Sequence, residues 1–461
     1  SPAGRRRSEP TTRYDARADT TLALFPARFA EREGRGHRRS RRGYPPRPGG
    51  GGETPAADGR VTRVSRRRFL RTAALGVAGG FVSGPFGAAL TRGSRPASGK
   101  APPGVFADLH FHASLRTTVR ETPVAVAAPL FNQFAQLTFN RTGGSWPECH
   151  RAGIDLVCAV HYNPFDEIMG MAVDPSLDAP AHTLRMLDLL ESELNGRAAA
   201  HARLARTPAE LEQALADRRE GRGDRVVVLH ALEGGHALGG SLAPLDALKE
   251  RGVVYITLTH FFDKGVASVG NCLPFFPDAG RDWPSRGLSD YGRRLIARME
   301  ELGILVDVTH ASSTAMEDIL KVASRPILAT HTSVRTLSDH PYSLPDEHLQ
   351  EIARRGGLIG IVLFPYTLSN YGTYEVAQER GSLADVVRSV RYLVKLLGDH
   401  RQIAIGSDFS GFIVGPRDMT RLGQVGRLRA ALMAELDDEA MVSDIMAGNA
   451  TRFLTDNWGR G

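Results

Sequence analysis

The sequence predicts an α/β fold, a parallel (β/α)8 barrel of the TIM type, from three observations. After residue 104, eight short runs rich in β-branched residues alternate with longer amphipathic segments. This alternation is typical of parallel sheets, and eight repeats are the number that closes a barrel. The runs are apolar almost throughout, as expected of strands buried on both faces. Histidine or carboxylate residues follow most of the runs.

The barrel domain is expected to span residues 105–457. Its strands are predicted at Val105–His110, Ile154–Val160, Arg225–Leu232, Gly252–Leu258, Ile304–Val308, Pro326–Ala329, Leu358–Leu363 and Gln402–Gly406. Helices are predicted between most of them, at His182–Leu194, Pro208–Ala216, Ser289–Leu302, Ser313–Val322, Asp346–Ala353 and Leu383–Leu397. Catalytic sites of this fold lie at the carboxyl ends of the strands, so the residues that end or follow each strand are the candidates for function.

The first hundred residues differ in composition from the rest of the chain. They hold 22 Lys and Arg against 7 Asp and Glu, a net charge of +15, whereas the remaining residues have a net charge of −8. Residues 1–62 are rich in Arg, Gly and Pro and poor in large apolar residues, which predicts a disordered leader. Residues 93–104 are expected to be a linker. Because no basic–aromatic pattern follows residue 100, we expect no nucleic-acid partner.

Residues 63–92 resemble a twin-arginine export signal. Ser65–Arg71 reads S-R-R-R-F-L-R, which differs from the S-R-R-x-F-L-K pattern only in its last residue. The apolar run Thr72–Leu90 follows, and its five glycines and one proline make it a poor permanent membrane helix. The signal implies the twin-arginine translocase as a partner and a periplasmic or extracellular location in a bacterial cell. The alternative is a basic linker beside a weak helix.

Side chains that can bind metal ions stand at the ends of most predicted strands. They are His110 and His112 at the first strand, Glu233 at the third, His260 at the fourth, His310 at the fifth, His331 at the sixth and Asp408 at the eighth. Alternate residues of a strand share one face, so His110 and His112 can reach the same ion. Imidazole suits zinc, and a carboxylate can bridge two cations. The pattern predicts a metal site at this end of the barrel.

Several of these segments resemble the membrane (renal) dipeptidase family of the metal-dependent amidohydrolase superfamily. They occur in the family's order and approximate spacing, and they are Glu233–His236, Tyr255–His260, Asp307–His310, Thr330–Ser333 and Gly406–Phe409. Taken together the segments are specific, although each alone would be weak.

The resemblance implies a dinuclear zinc hydrolase that cleaves a dipeptide or a related amide bond by attack of a metal-bridging hydroxide. Two zinc ions per chain are expected, bridged by Glu233, with His110 and His112 on one ion and His310 and His331 on the other. Asp408 is the expected proton carrier, and His260 is the expected contact to the oxyanion or the substrate. The partner implied is a small-molecule substrate, and a homodimer is left open.

The sequence departs from the family's pattern at three places. His110-Phe111-His112 replaces His-x-Asp, and Ser410 replaces the second aspartate of Ser-Asp-Phe-Asp-Gly. The third departure concerns the Arg-Asn pair with which the family grips the carboxylate of its substrate. Tyr342-Ser343 stands in that place, and Arg335 lies close by in sequence. Tyr342 and Arg335 are therefore the candidate substrate-binding residues besides His260.

Two alternatives to a dipeptidase remain open on the sequence. The first is an amidohydrolase-type esterase, lactonase or N-acyl amino acid hydrolase, because loss of a bidentate arginine clamp weakens dipeptide binding. Related lactonases commonly bridge their metals with a carboxylated lysine, and none of these strands ends in a lysine. The second alternative is a non-catalytic binding protein on the same barrel, although all five ligand positions hold competent residues.

Overall fold

The computed structural model describes residues 105–115, 143–164, 166–167, 176–270 and 287–461. The predicted leader (1–62), export signal (63–92) and linker (93–104) lie outside these residues. The described part forms a closed parallel barrel surrounded by helices, as the sequence predicts. None of the described helices combines the length and the apolar character needed to cross a membrane.

All eight predicted strands are present in the barrel. In chain order the strands are β1 (Ala107–Phe111), β2 (Leu156–His161), β3 (Ala202–Leu204), β4 (Val226–Glu233), β5 (Val253–Thr257), β6 (Leu305–Asp307), β7 (Leu328–Thr332), β8 (Leu358–Val362) and β9 (Ile403–Gly406). The first strand, β1, pairs in parallel with both β2 and β9, which closes the sheet. β2 pairs directly with β4, so β3 is an additional strand and not one of the eight strands that form the barrel.

The short strand β3 has no counterpart among the predicted strands. It pairs with the start of β4, from Ala202 opposite Val226 to Leu204 opposite Val228. Because β4 pairs with β5 only from His230 onward, β3 occupies the part of that edge which β5 leaves open. Three residues are too few to show the alternation from which a strand is read in sequence.

Helices cover the outside of the barrel. They are α1 (Trp146–Arg151), α2 (Ala179–Asn195), α3 (Pro208–Arg219), α4 (Pro244–Glu250), α5 (Asp290–Leu302), α6 (Ser313–Val322), α7 (Asp346–Arg354), α8 (Pro365–Leu368), α9 (Tyr374–Arg380), α10 (Leu383–Leu397), α11 (Val425–Leu436), α12 (Glu439–Ser443) and α13 (Asn449–Asn457). Local signals set their ends. In α5, Ser289 accepts a hydrogen bond from the Gly292 amide, and Gly303 ends the helix with a φ of 70°.

Alternate residues of the strands pack into two apolar layers. In β2, Leu156 and Cys158 belong to one cluster together with Tyr255 of β5. Val157 belongs to the other cluster, which includes Leu187 of α2 and fills the space between strands and helices. Because both layers are filled with apolar side chains, polar residues that serve a reaction are placed at the strand ends.

Candidate metal centre

Glu233, the last residue of β4, lies in the middle of a group of histidines. Its side chain is 1% exposed, and the Nε2 atoms of five imidazoles approach its oxygens. The distances are 3.3 Å to His110, 3.4 Å to His112, 3.4 Å to His310, 3.5 Å to His331 and 3.7 Å to His260. The barrel therefore brings together the five predicted metal ligands and His260. We call these six residues the Glu233 cluster.

Hydrogen bonds determine which nitrogen of His110 faces Glu233. The Tyr255 hydroxyl donates to the Leu109 carbonyl at 2.7 Å, so its oxygen accepts from His110 Nδ1 at 3.0 Å. When the ring is neutral, a proton on Nδ1 leaves the lone pair on Nε2, the atom beside Glu233. A metal-binding histidine is usually held in this way, with its other nitrogen donating to a protein oxygen.

The same arrangement holds His331 at the end of β7. The Thr330 hydroxyl donates to Asp307 at 2.7 Å, so its oxygen accepts from His331 Nδ1 at 3.0 Å. The lone pair of His331 then lies on Nε2, which is 3.1 Å from Nε2 of His310. Burial and the neighbouring rings, first His110 and then His310, hold the pKa of His331 well below its usual range. The ring is therefore neutral and able to bind a cation.

Asp408 follows β9 and lies beside His112. Its Oδ1 is 3.1 Å from His112 Nε2, and its side chain is 14% exposed, so solvent and substrate can reach it. Asp408 and His310 have φ angles of 58° and 67°, in the left-handed region that residues other than glycine seldom adopt. Backbone strain of this kind is concentrated where a side chain must be aimed at a functional site.

The donor set of the Glu233 cluster fits divalent cations. Both oxygens of Glu233 and Nε2 of His110 are buried without a hydrogen-bond partner among the described residues. Burial raises the pKa of Glu233, but the imidazoles, first His260 and then His110, outweigh burial and hold the pKa well below its usual range. A buried carboxylate without a hydrogen bond is unfavourable unless a cation joins it. Ligand atoms within 4.8 Å of one another occur in the groups His110–His112–Asp408, His110–Asp307–His331 and Glu233–His260–His310.

The Glu233-Gly234-Gly235-His236 segment turns sharply after β4. Gly234 has a φ of 93°, and a Cβ atom there would lie 2.3 Å from the His236 ring. A Cβ atom at Gly235 would lie 2.9 Å from the Leu258 carbonyl oxygen, to which the Gly235 amide donates. The two glycines thus allow an unusual φ and a close backbone approach at this turn. His236 packs edge-on against Tyr162.

One buried carboxylate at the site was not identified from the sequence. Glu167, which follows β2, accepts a hydrogen bond from His260 Nδ1 at 2.8 Å and one from the Tyr162 hydroxyl at 2.7 Å. The amides of Phe261 and Phe262 donate to its other oxygen at 2.9 and 3.0 Å. Burial raises the pKa of Glu167, but nearby imidazoles, His260 first, lower it to about 2. No motif marks this residue, because it stands 93 positions before its histidine.

A small cavity opens beside the Glu233 cluster. The residues that line it are His112, His260, Phe261, His310, Tyr342, Phe364, Asp408, Phe412 and Ile413. Four of them are aromatic residues other than histidine and one is aliphatic, so much of the wall is apolar. Neither arginine nor lysine is among these described lining residues. A substrate in the cavity would contact the apolar wall on one side and the Glu233 cluster with Asp408 on the other.

The Tyr342-Ser343 pair is divided between the cavity and the core. The Tyr342 ring lies 5.0 Å from the His310 ring, and its hydroxyl donates to the His331 carbonyl. Tyr342 is therefore placed where it can contact a substrate. Ser343 is fully buried, and its hydroxyl lies 2.8 Å from that of Ser333, on the core side of the same segment.

Arg335 is placed differently from Tyr342. Its guanidinium donates to the Ser313 hydroxyl at 2.9 Å and to the Pro341 carbonyl at 3.2 Å. Arg335 is not among the described residues that line the cavity. Its predicted contact with a substrate gains no support from this position and stays a prediction.

Comparison with models of protein families matches residues 153–457 to the membrane dipeptidase family, peptidase family M19. The chain belongs to this family. The match includes Glu233, His260, His310, His331 and Asp408, and it begins after β1. The His110-Phe111-His112 segment therefore lies outside the matched residues, and its role in the site depends on the geometry described above.

Two curated relatives of the chain come from fungi. Dipeptidase aclJ of Aspergillus oryzae is 32% identical over 235 residues, which are 50% of this chain and 52% of that protein. Uncharacterized dipeptidase C965.12 of Schizosaccharomyces pombe is 30% identical over 195 residues, which are 42% of this chain and 44% of that protein. The chain thus spans about half the length of the curated relatives that it matches.

Solved structures share the fold of this chain. The probable dipeptidase PvdM from Pseudomonas aeruginosa has a TM-score of 0.59 and 18% identity, over 75% of this chain and 100% of that one. A metallo peptidase from Rhodobacter sphaeroides, liganded with a phosphinate mimic of the dipeptide L-Ala-D-Ala, has a TM-score of 0.58 and 21% identity, over 77% of this chain and 99% of that one. At these identities the likeness establishes the barrel fold.

Proposed function

We propose that the chain is a metal-dependent dipeptidase that hydrolyses small amide substrates with two zinc ions. The observation that carries this proposal is Glu233, a buried and ionised carboxylate beside five imidazole Nε2 atoms at 3.3–3.7 Å. Such a set of donors has little structural value by itself and high affinity for a borderline-soft cation. Membership of the membrane dipeptidase family, whose solved relatives include metallo peptidases, supports the same chemistry.

Five residues would hold the two ions. Glu233 would bridge them, with His110 and His112 on one side and His310 and His331 on the other. Zinc is favoured because imidazole and carboxylate are its usual ligands in hydrolases. When bound, the ions would polarise the scissile carbonyl and lower the pKa of a water molecule into the neutral range.

Asp408 and His260 face the cavity beside this ligand set and would handle protons and developing charge. The partly exposed Asp408 carboxylate is the group that would take a proton from the attacking water and pass it to the leaving nitrogen. His260 lines the cavity with its Nε2 on the side of Glu233, where it would contact the carbonyl oxygen as negative charge develops.

The proposed substrate is a dipeptide or a closely related small amide. The cavity is small, and the solved relative from Rhodobacter sphaeroides holds a mimic of L-Ala-D-Ala. Tyr342 favours a second candidate, a substrate without a free carboxylate, such as a dipeptide amide, an ester or a lactone. A carboxylate placed against the described cavity wall would meet aromatic rings and no cationic side chain, which is unfavourable.

Metal content and a substrate panel test the proposal. Purified protein should hold about two zinc ions per chain, and hydrolysis of L-dipeptides should disappear with a chelator and return with zinc. The panel should also contain dipeptide amides, N-acyl amino acids and lactones. Turnover of dipeptide amides or lactones without turnover of free dipeptides would select the second candidate. Metal-free protein that hydrolyses nothing on the panel would contradict both candidates and favour a binding protein.

We also propose export by the twin-arginine pathway, on the basis of Ser65–Arg71. Changing Arg66 and Arg67 together to lysine should leave the precursor in the cytoplasm, because the pathway recognises the guanidinium pair and not its charge alone. Cell fractionation with a reporter-tagged full chain provides the measurement. Unchanged export of the double variant would mean that the stretch is a basic linker.

A further inference from the structure

We propose that Glu167 is a positioning residue that fixes the orientation and tautomer of His260. The catalytic consequence rests on the proposed hydrolase function, whereas the hydrogen bonds that carry the inference do not. Glu167 is 1% exposed and is not among the described residues that line the cavity. It therefore reaches the reaction only through the side chain that it holds.

The two carboxylate oxygens of Glu167 accept hydrogen bonds from different groups. Oε1 accepts from the backbone amides of Phe261 and Phe262, at 2.9 and 3.0 Å. Oε2 accepts from His260 Nδ1 at 2.8 Å and from the Tyr162 hydroxyl at 2.7 Å. The backbone contacts anchor the carboxylate, and the side-chain contacts transmit its position to the imidazole.

A carboxylate only accepts hydrogen bonds, so the contact at 2.8 Å requires a proton on His260 Nδ1. Nε2 is then the ring nitrogen on the side of Glu233, 3.7 Å from its Oε1. The rings of Tyr162 and Phe261 pack on the imidazole, with centroids at 4.4 and 3.5 Å, and hinder its rotation. A buried carboxylate that orients a histidine by its distal nitrogen is the same physical device as the aspartate of a catalytic triad.

Replacement of Glu167 by glutamine would reverse the tautomer without removing the anchor. The amides of Phe261 and Phe262 need an acceptor, so the carbonyl oxygen of the new side chain must take the place of Oε1. Its NH2 group then takes the place of Oε2 and can only donate to His260 Nδ1. Nδ1 would have to present its lone pair, and the ring proton would move to Nε2.

Kinetics of the zinc-loaded enzyme provide the first test. Glu167→Gln should lower kcat/KM by about 10- to 100-fold, the size usual for an outer hydrogen-bond partner, with an unchanged zinc content. In a His260→Gln background the same substitution should change kcat/KM by less than about twofold, because its target is already gone. An equal loss in both backgrounds, or wild-type activity of Glu167→Gln, would overturn the proposal. So would loss of zinc from Glu167→Gln.

Nitrogen NMR of histidine-labelled holoenzyme provides the second test, which needs no turnover. The His260 resonances are assigned by their absence in His260→Gln. Wild-type His260 should show a protonated Nδ1, and Glu167→Gln should show a protonated Nε2 with an unprotonated Nδ1. An unprotonated Nδ1 in the wild-type enzyme would overturn the proposal even if no variant folded. If Nδ1 is protonated but the protein hydrolyses no substrate, the inference about Glu167 stands and the proposed function fails.

Asp385→Asn is the matched control for loss of a buried carboxylate. Asp385 is 4% exposed and accepts from the hydroxyls of Ser369 and Tyr371, at 2.6 and 2.7 Å. Its replacement should lower the melting temperature and leave kcat/KM within about twofold of the wild type. If Asp385→Asn lowered kcat/KM as much as Glu167→Gln, the loss at Glu167 would reflect general destabilisation, and the proposal would fail.

Discussion

The two ends of the barrel surround their buried carboxylates with different partners. At the base, before the strands begin, Asp155 is 3% exposed and accepts from Arg218 at 2.9 Å. Glu191, which is 16% exposed and lies on α2, accepts from Arg251 at 2.6 Å and lies 3.2 Å from His230 Nε2. At the opposite end, Glu233 contacts five imidazoles and, among the described residues, no arginine or lysine.

This difference separates a structural carboxylate from one that can bind a cation. Arginine is charged at every ordinary pH and occupies carboxylate oxygens with its N–H donors, so it leaves no site for a ligand. An imidazole in its neutral form can direct a lone pair at a cation, which arginine cannot do. The carboxylates that pair with arginine therefore stabilise the fold, whereas the Glu233 cluster is suited to bind a cation.

Glu233→Gln should have the largest effect, and it acts at the carboxyl end of the barrel. A neutral amide bridges two cations poorly, so the variant should lose most of its zinc. Activity should fall by about 1,000-fold or more, because several kcal/mol of transition-state stabilisation depend on the metal. Elemental analysis and the dipeptide assay provide the measurements, and full zinc loading with full activity would remove Glu233 from the site.

Glu191→Gln is the matched control for Glu233→Gln, because the same chemical change is made where two arginines, together with the His230 imidazole, are the partners. It should weaken the contacts with Arg206 and Arg251, which are 2.7 and 2.6 Å long. We expect a loss of stability with zinc content and turnover unchanged. A similar loss of zinc from both variants would mean that the partners of a carboxylate do not decide whether it binds a cation.

Asp155→Ala should show the largest loss of stability. It leaves Arg218, whose side chain is 8% exposed, without its carboxylate, and it removes the acceptor of the Phe106 amide at 3.2 Å. Breaking a buried ion pair by deleting one partner costs about 3–5 kcal/mol of unfolding free energy. Urea unfolding of the zinc-loaded protein measures this value. The folded fraction should retain the wild-type kcat, and a loss below about 1 kcal/mol would show that the pair is solvated like a surface pair.

The sequence predicts the fold well because the physical signal is strong in long, buried elements. Most barrel strands contain β-branched residues in an apolar run, and the helix Ser313–Val322 has the predicted bounds. The extra strand Ala202–Leu204 escapes detection because its environment, the free edge of a neighbouring strand, is tertiary. Short helices such as Pro365–Leu368 lack enough turns to show a period.

For the site, the sequence identifies side chains that end strands, because the fold fixes where those ends meet. It does not identify residues whose role depends on a contact between distant loops. Glu167 is recognised only once its carboxylate is seen against His260. Likewise, adjacent residues can face different surroundings, as Tyr342 lines the cavity while Ser343 contacts Ser333 in the core.

Tyr342→Arg should add to the cavity a guanidinium group, the kind of cation that pairs with Asp155 at the amino end of the barrel. Because Ser343 is packed against Ser333, the substitution is made alone, without an asparagine at position 343. A charge-assisted contact contributes about 1.5–3 kcal/mol, so kcat/KM on dipeptides with a free carboxylate should rise about tenfold or more. Dipeptide amides should show no gain. Tyr342→Met controls for loss of the ring and of the hydrogen bond to the His331 carbonyl, and an equal gain in that variant would rule out the charge as the cause.

Arg335→Ala should have the smallest effect. It tests whether the Arg335 guanidinium already reaches the described cavity. The Arg335 guanidinium donates hydrogen bonds to the Ser313 hydroxyl and the Pro341 carbonyl, at 2.9 and 3.2 Å. Removing these partly exposed contacts should cost about 1 kcal/mol of stability and change kcat/KM on dipeptides by less than about twofold. Steady-state kinetics of the variant on a dipeptide and its amide provide the measurement. If the wild type hydrolyses dipeptides efficiently and Arg335→Ala selectively loses the free dipeptide, the guanidinium must swing into the cavity when substrate binds. The carboxyl end of the barrel would then also bind a carboxylate with arginine, but that carboxylate would belong to the substrate and would not be Glu233.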